Sequence, residues 1–221
     1  MKRRKKAYNS YYNRVVKRLI DVLISGTAVI ILLPVYVIIG IMIALEDGFP
    51  VLYRADRGGY MGRPFRIAKF RSMVKNADKI GGGTTALHDS RITRTGNFLR
   101  KTKLDELPQL IQVLKGDMSL IGPRPELLKY VDQYEGEEKD ILKVRPGITD
   151  YSSVEFINLD EIVGSGNADE MYEKYVLKKK NKLRIKYAHT VSFRTDAYIL
   201  FKTLSAVFNK ATGFVFRNEH R

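Results

Sequence analysis

Asp105 and Glu106 stand side by side in a stretch, Arg91 to Glu126, that is otherwise rich in cations. Arg91, Arg94, Arg100, Lys101 and Lys103 lie ahead of them, and Arg124 follows between Pro123 and Pro125. Two carboxylates gathered among so many positive side chains suit a site that handles a phosphate ester together with a divalent cation. Prolines on both sides restrict the backbone that presents Arg124, and its guanidinium fork matches two phosphate oxygens. Singly, each residue has a plainer reading, Asp105 as a helix cap and Arg124 as a surface ion-pair partner. Their combination within one stretch favours the site.

The elements that must position these groups can be read around them. Pro108 is tolerated in a helix only within the first turn, so the helix reading Leu107 to Lys115 starts near Asp105, and Gly116 stops it. Leu107, Leu110, Ile111 and Leu114 form its apolar face. The acids then sit at or just before a helix N-terminus, where unpaired N–H groups favour their ionised form and can hold a phosphate oxygen. Upstream, VLYRAD and PFRIAKF read as two strands joined by a turn containing Gly58, Gly59 and Gly62, a β-hairpin whose second strand delivers Lys69 and Arg71 towards the site. Downstream, Arg145-Pro146-Gly147 is a tight turn that offers Arg145 to an anion. The run Gly81 to Thr85 lacks the Gly-Lys-Ser/Thr of a phosphate-binding loop and reads as a mobile surface loop or lid.

LRKTKLDELPQLIQVLKGDMSLIGPRPE, with KFRSM at Lys69 to Met73 and VRPGIT at Val144 to Thr149, resembles the bacterial sugar transferases, the monotopic polyprenol-phosphate phosphoglycosyl transferases. Several separated motifs in the same order make the resemblance specific, and it runs from about Lys17 to Asp196. It implies transfer of a sugar 1-phosphate from a UDP-sugar to polyprenol phosphate with release of UMP. Asp105 would be the nucleophile, forming an aspartyl phosphosugar. Glu106 would act as a base or, with Asp105, as a ligand of Mg2+, and Lys69, Arg71, Arg124 and Arg145 would hold phosphates. Asp196, in SFRTD, matches a recurrent acid of the family, although a helix cap explains it equally well. Where the family often continues Trp-Ala-Gln-Val, this chain has Tyr151 to Phe156, YSSVEF, a departure at the expected sugar-recognition loop.

The 221 residues, 44% of them hydrophobic, are enough for one ordinary domain, and a net charge of +15 calls for an anionic partner. From Val22 to Leu45 no residue is charged, a length that could cross a bilayer. Pro34 interrupts the run, and both flanks are basic, with Lys17 and Arg18 before it and Arg54, Arg57 and Arg63 after it. Same-sided cations place both ends in the cytoplasm, which requires a helix that dips into the membrane and returns. The related proteins break this element at Ser-Pro; here the pair is Leu33-Pro34. The basic, tyrosine-rich segment ahead of it, Met1 to Arg18, reads as lying on anionic lipid headgroups, with Met1 to Lys6 a disordered tail.

The expected architecture is therefore α+β, mostly helical with one short β-hairpin. It comprises a basic interfacial segment (1–20), a re-entrant helix broken at Pro34 (21–46) and a catalytic domain (47–221) on the cytoplasmic face of a bacterial inner membrane. Leu127 to Asp140 and Glu173 to Arg184 read as solvated, and His189 to Phe208 as an amphipathic helix packed on the domain or the membrane. There is no cysteine, and His88, His189 and His220 show no metal-ligand spacing. A nucleic-acid partner is not expected, since the apolar run explains the basic charge through lipid. The other readings are a non-catalytic membrane-anchored basic adaptor and a metal-dependent phosphohydrolase. The sequence leaves the sugar, the glycan pathway and the oligomeric state open, a homodimer included.

Overall fold

The computed structural model describes residues 6–82, 84–86, 89–164 and 167–218. Met1 to Lys5 of the basic tail, Gly83 of the glycine-rich loop, His88 and His220 lie outside the described residues. The uncharged run forms two helices, α1 (Lys17–Ile31) and α2 (Leu33–Asp47), which together with the turn before α1 make a pair bent by 61°. The break falls at Leu32, with φ −87° and ψ 4°, and not at Pro34. A proline ring clashes with the carbonyl four residues earlier, so the chain breaks ahead of Pro34 and restarts with the proline in the first turn of α2, where its missing N–H costs nothing. Among the described residues no single helix is long and apolar enough to cross a membrane; the bent pair meets that test jointly.

The inward face of α1 is polar. Lys17, Asp21 and Ser25, spaced by four, are buried, whereas Leu19, Leu23, Ile30 and Ile31 are exposed, as are Leu33, Val37, Ile38, Ile41 and Leu45 after them. That is the reverse of a helix in a soluble protein. Lys17 forms an ion pair with Asp196 at 2.6 Å, Asp21 accepts the Leu120 N–H at 3.0 Å, and Arg18 donates to the Val113 and Leu114 carbonyls. The reading of Lys17 and Arg18 as lipid-facing cations is thereby corrected. A buried carboxylate and the open carbonyl end of a short helix compete for them and win. Lys6 likewise meets Asp140, and Tyr8 and Asn13 are buried.

Strands β1 (Leu52–Gly58) and β2 (Pro64–Phe70) pair antiparallel, from Leu52 opposite Phe70 to Gly58 opposite Pro64. The edge of β2 is closed by one side chain. Gln112 accepts from the Ala68 N–H at 2.9 Å and donates to the Arg66 carbonyl, so a glutamine on the helix Gln109–Lys115 stands in for a third strand. A second pair, not foreseen from sequence, is parallel: β3 (Ser119–Ile121) beside β4 (Gly147–Thr149). Gly122 and Gly147 allow it, since a Cβ on Gly147 would lie 2.1 Å from the Gly122 nitrogen. The chain is mostly helical with small sheets, an α+β arrangement.

Two stretches that read as solvated, Leu127 to Asp140 and Glu173 to Arg184, are so on one face only. Tyr130, Val131, Tyr134 and Asp140 are buried, and Val176, Lys180 and Arg184 line up on one buried helical face. Their charges go inside because partners from elsewhere meet them. Asp140 gathers Lys6, Lys143 and His189, and Arg184 pairs with Glu126 at 2.9 Å. The last helix, Phe193–Asn218, buries Asp196 and Ile199 and exposes Phe193, Phe201, Leu204 and Phe208.

Candidate active site

Asp105 and Glu106 lie in a 3-10 turn, Leu104–Glu106, between the helices Arg94–Thr102 and Gln109–Lys115. Lys103 makes the sharp change of direction in the left-handed conformation, φ 60°. The amides of Glu106, Leu107, Leu110 and Ile111 donate to carbonyls within this segment, so these four of the backbone donors expected to hold a phosphate oxygen are already engaged. The cationic side chains around the turn are the other anion ligands.

Successive residues of such a turn point about 120° apart, and the two acids have different surroundings. Arg124 donates from Nη1 to Glu106 Oε2 at 2.9 Å and from Nη2 to Oε1, which also accepts from Lys69 Nζ at 3.0 Å. Burial works against the charge on Glu106, but Arg124 and Lys69 outweigh it and hold this carboxyl well below the usual range. Asp105 is 6% exposed, and its Oδ1 has no hydrogen-bond partner. Burial raises its pKa, with Lys69 pulling the other way and Glu106 adding to the rise. One carboxylate is thus clamped and ionised, and the other keeps a free oxygen.

Both acids line an open cleft of about 1850 Å3. Lys69, Arg100, Lys103 and Arg124 line it around the acids, here called the near wall, and Glu126, Tyr172, Lys180 and Arg184 line it around the Glu126–Arg184 ion pair, here called the far wall. Arg124 is held further by donation to the Ile148 carbonyl at 2.8 Å, and its amide faces Asp150 Oδ2 at 3.3 Å. Asp150 caps the helix Tyr151–Glu155, and Ser152 and Ser153, in the segment where this chain departs from the family pattern, donate to its carboxylate. Thr84 and Thr85 form part of the rim. The Thr84 amide donates to Asp169 Oδ1 at 2.7 Å, and Arg100 donates to the Thr85 hydroxyl at 2.7 Å. The bent helix pair is tied to the site directly, because Tyr36 of α2 donates its hydroxyl to the Leu107 carbonyl at 2.6 Å.

Of the five predicted substrate-binding residues, Lys69 and Arg124 reach the cleft and Arg71, Arg145 and Asp196 do not. Arg71 is buried beneath the hairpin, donating to the Asp47, Gly48 and Pro50 carbonyls and pairing with Asp47, so it ties α2 to the sheet. Strand alternation sends Lys69 and Arg71 to the same face, but β2 ends at Phe70 and Arg71 turns away. Arg145 donates to the Gly116 carbonyl at 3.1 Å and lies over the Tyr60 ring. Asp196 accepts from Lys17, Tyr12 and Tyr187 and anchors the N-terminal segment. Sequence reasoning missed Asp150, Gln112 and the far-wall pair Glu126–Arg184. Glu126 directly after the proline frame, and the four-residue spacing of Val176, Lys180 and Arg184, were the available signals.

Among the described residues no cluster of three or more His, Asp or Glu side chains could hold a metal ion by itself. Glu106 has both oxygens engaged, and Asp105 has one free. This fits a cation shared between Asp105 and a substrate's phosphates, the usual mode for Mg2+, and not a cage built from protein alone.

Residues 12–210 match the model of one family, described as bacterial sugar transferase. The chain belongs to that family. Among its relatives within the bacterial sugar transferases, it is 36% identical over 203 residues to a UDP-N-acetylgalactosamine-undecaprenyl-phosphate N-acetylgalactosaminephosphotransferase of Aeromonas hydrophila, a match covering 90% of this chain and 44% of that protein. A UDP-glucose:undecaprenyl-phosphate glucose-1-phosphate transferase of Escherichia coli K12 is 36% identical over 204 residues, covering 90% of this chain and 42% of that one. An uncharacterized sugar transferase of Bacillus subtilis strain 168 is 35% identical over 198 residues, covering 87% of both chains. The chain therefore spans less than half the length of the first two relatives.

Proposed function

We propose that this chain moves a sugar 1-phosphate from a UDP-sugar to a polyprenol phosphate, releasing UMP, on the cytoplasmic face of a bacterial inner membrane. The observation that carries this reading is a buried Asp105 with a free carboxylate oxygen beside a Glu106 already clamped by two cations. The names of the relatives support the donor and acceptor classes.

In the first step an Asp105 oxygen attacks the phosphorus attached to the sugar. A bond from that oxygen to phosphorus forms, the bridging P–O bond breaks, and its electron pair leaves on UMP. In the second step a phosphate oxygen of the polyprenol carrier attacks the same phosphorus and releases the Asp105 carboxylate. A carboxylate approaching a diphosphate meets repulsion, which Lys69, Lys103 and Arg124 offset from the near wall. Mg2+, for which Asp105 would be the protein ligand, would supply charge neutralisation there. Glu106 holds Arg124 and Lys69 in place and remains an anion throughout, so it orients cations more than it accepts a proton. A non-catalytic adaptor gives the free Asp105 oxygen no task.

Release of UMP from UDP-sugars beyond the single equivalent that accompanies the aspartyl phosphosugar is expected to depend on added undecaprenyl phosphate, and all release on Mg2+. Release of sugar phosphate to water without the carrier would instead make the chain a phosphohydrolase. The bent pair is read as re-entrant, with its exposed apolar faces and those of the last helix in lipid. Because the chain has no cysteine, Tyr11→Cys and Phe49→Cys give single exposed labels at the two ends of the pair. Both are expected to react with a membrane-impermeant maleimide from the cytoplasmic side. Reaction from opposite sides would show a span.

A further inference from the structure

We infer that Lys180 forms a second anion subsite in this cleft, one that takes the phosphate leaving with the nucleotide. The inference deepens the transferase reading and rests on it. Lys180 belongs to the helix Lys178–Thr190, lines the far wall and is 8% exposed. Its ammonium lies 5.1 Å from the Tyr172 ring centre and 5.7 Å from that of Phe156, and no hydrogen-bond acceptor meets it among the described residues. The buried cations around it are committed: Arg124 and Lys69 to Glu106, and Arg184 to Glu126. An ammonium so enclosed is costly to keep charged, and burial, with the repulsion of Arg184, lowers its pKa to about 7. The missing partner is an anion.

Two features say which anion. Arg124 and Arg184 both repel charge on Lys180 and all three line the one cleft, so a diphosphate that enters it meets Lys180 as the one of these three cations without an ion-pair partner. The last helix supplies Thr203 and Val207 to the same cleft while exposing Phe201, Leu204 and Phe208, so the lipid-borne acceptor is assigned to the last helix and the soluble nucleotide to Lys180. When the bridging P–O bond breaks, its oxygen departs with the nucleotide, and that phosphate gains a negative charge. A cation not already neutralised at rest interacts more strongly with this developing charge than with the intact donor.

The test is calorimetric titration of UMP and of uridine into the full chain and its Lys180→Met variant. Loss of one charge-assisted contact is expected to weaken UMP about tenfold to a hundredfold and to leave uridine unchanged. Methionine fills the same space without a buried charge, so the variant's melting temperature is expected to stay level or rise, which a merely structural lysine would not allow. Lys180→Gln, with a polar tip, is expected to weaken UMP in the same way. Unchanged UMP affinity in both variants, equal weakening of UMP and uridine, or no UMP binding to the wild-type chain would each overturn the subsite. Failure of the wild-type chain to turn over any UDP-sugar would count against the transferase reading instead.

Discussion

Asp105→Asn is expected to lower UMP release by about a thousandfold or more, the scale of losing a covalent nucleophile. The variant is also expected to acquire no label from a UDP-sugar carrying 32P on the sugar phosphate, where the wild-type chain does. Asparagine keeps the volume of the buried side chain but has no oxygen able to displace UMP. Substantial turnover, or a labelled variant, would remove the covalent scheme. Stability should move the other way. Burial raises the folded-state pKa of Asp105 above its unfolded value, so the fold favours the protonated acid. That contribution is complete below the unfolded pKa and is lost as pH rises through the folded one. Asparagine never has to ionise. The variant's advantage over wild type in thermal melts is therefore expected to be larger at neutral pH than near pH 4, where the unfolded acid titrates at about 3.9.

Arg124→Met should lose both activity and stability. It removes two hydrogen bonds to Glu106 and one to the Ile148 carbonyl, leaving a largely buried carboxylate with Lys69 as its remaining partner. Removing one member of such a pair costs about 3 kcal/mol, because the other stays buried and charged. Urea unfolding measures this directly. The double variant Arg124→Met/Glu106→Gln is expected to regain much of the stability and none of the activity, since the uncompensated anion is gone and the cation at the phosphate is still missing. A single variant as stable as wild type would show that Glu106 does not depend on Arg124.

Several features that position the site follow from short-range chemistry and are visible in the chain. Pro108 and Gly116 bracket the helix after the acids because one lacks an N–H and the other accepts a positive φ, 95° here. Glycines between two runs of aromatic and branched residues mark the hairpin that carries Lys69, and proline in an uncharged run marks the bend, displaced by two residues to Leu32. Such features require no knowledge of distant neighbours. The proline frame around Arg124 is also local, but its hold on Glu106 comes from a partner 18 residues away.

Charged residues are where reading and structure part. Arg71, Arg145 and Asp196 belong to motifs as suggestive as Lys69 and Arg124, yet they hold the scaffold together and stand outside the cleft. Lys17 meets Asp196 across 179 positions, and Arg184 meets Glu126 across 58. A side chain's charge makes burial without a partner costly, but the type of residue does not say whether a partner will be there. By itself the sequence determined the family, the acidic pair, the helical and hairpin elements and the apolar run. Only the tertiary structure decided which cations serve the cleft and which of the two acids keeps a free oxygen, because both depend on contacts between residues far apart in the chain.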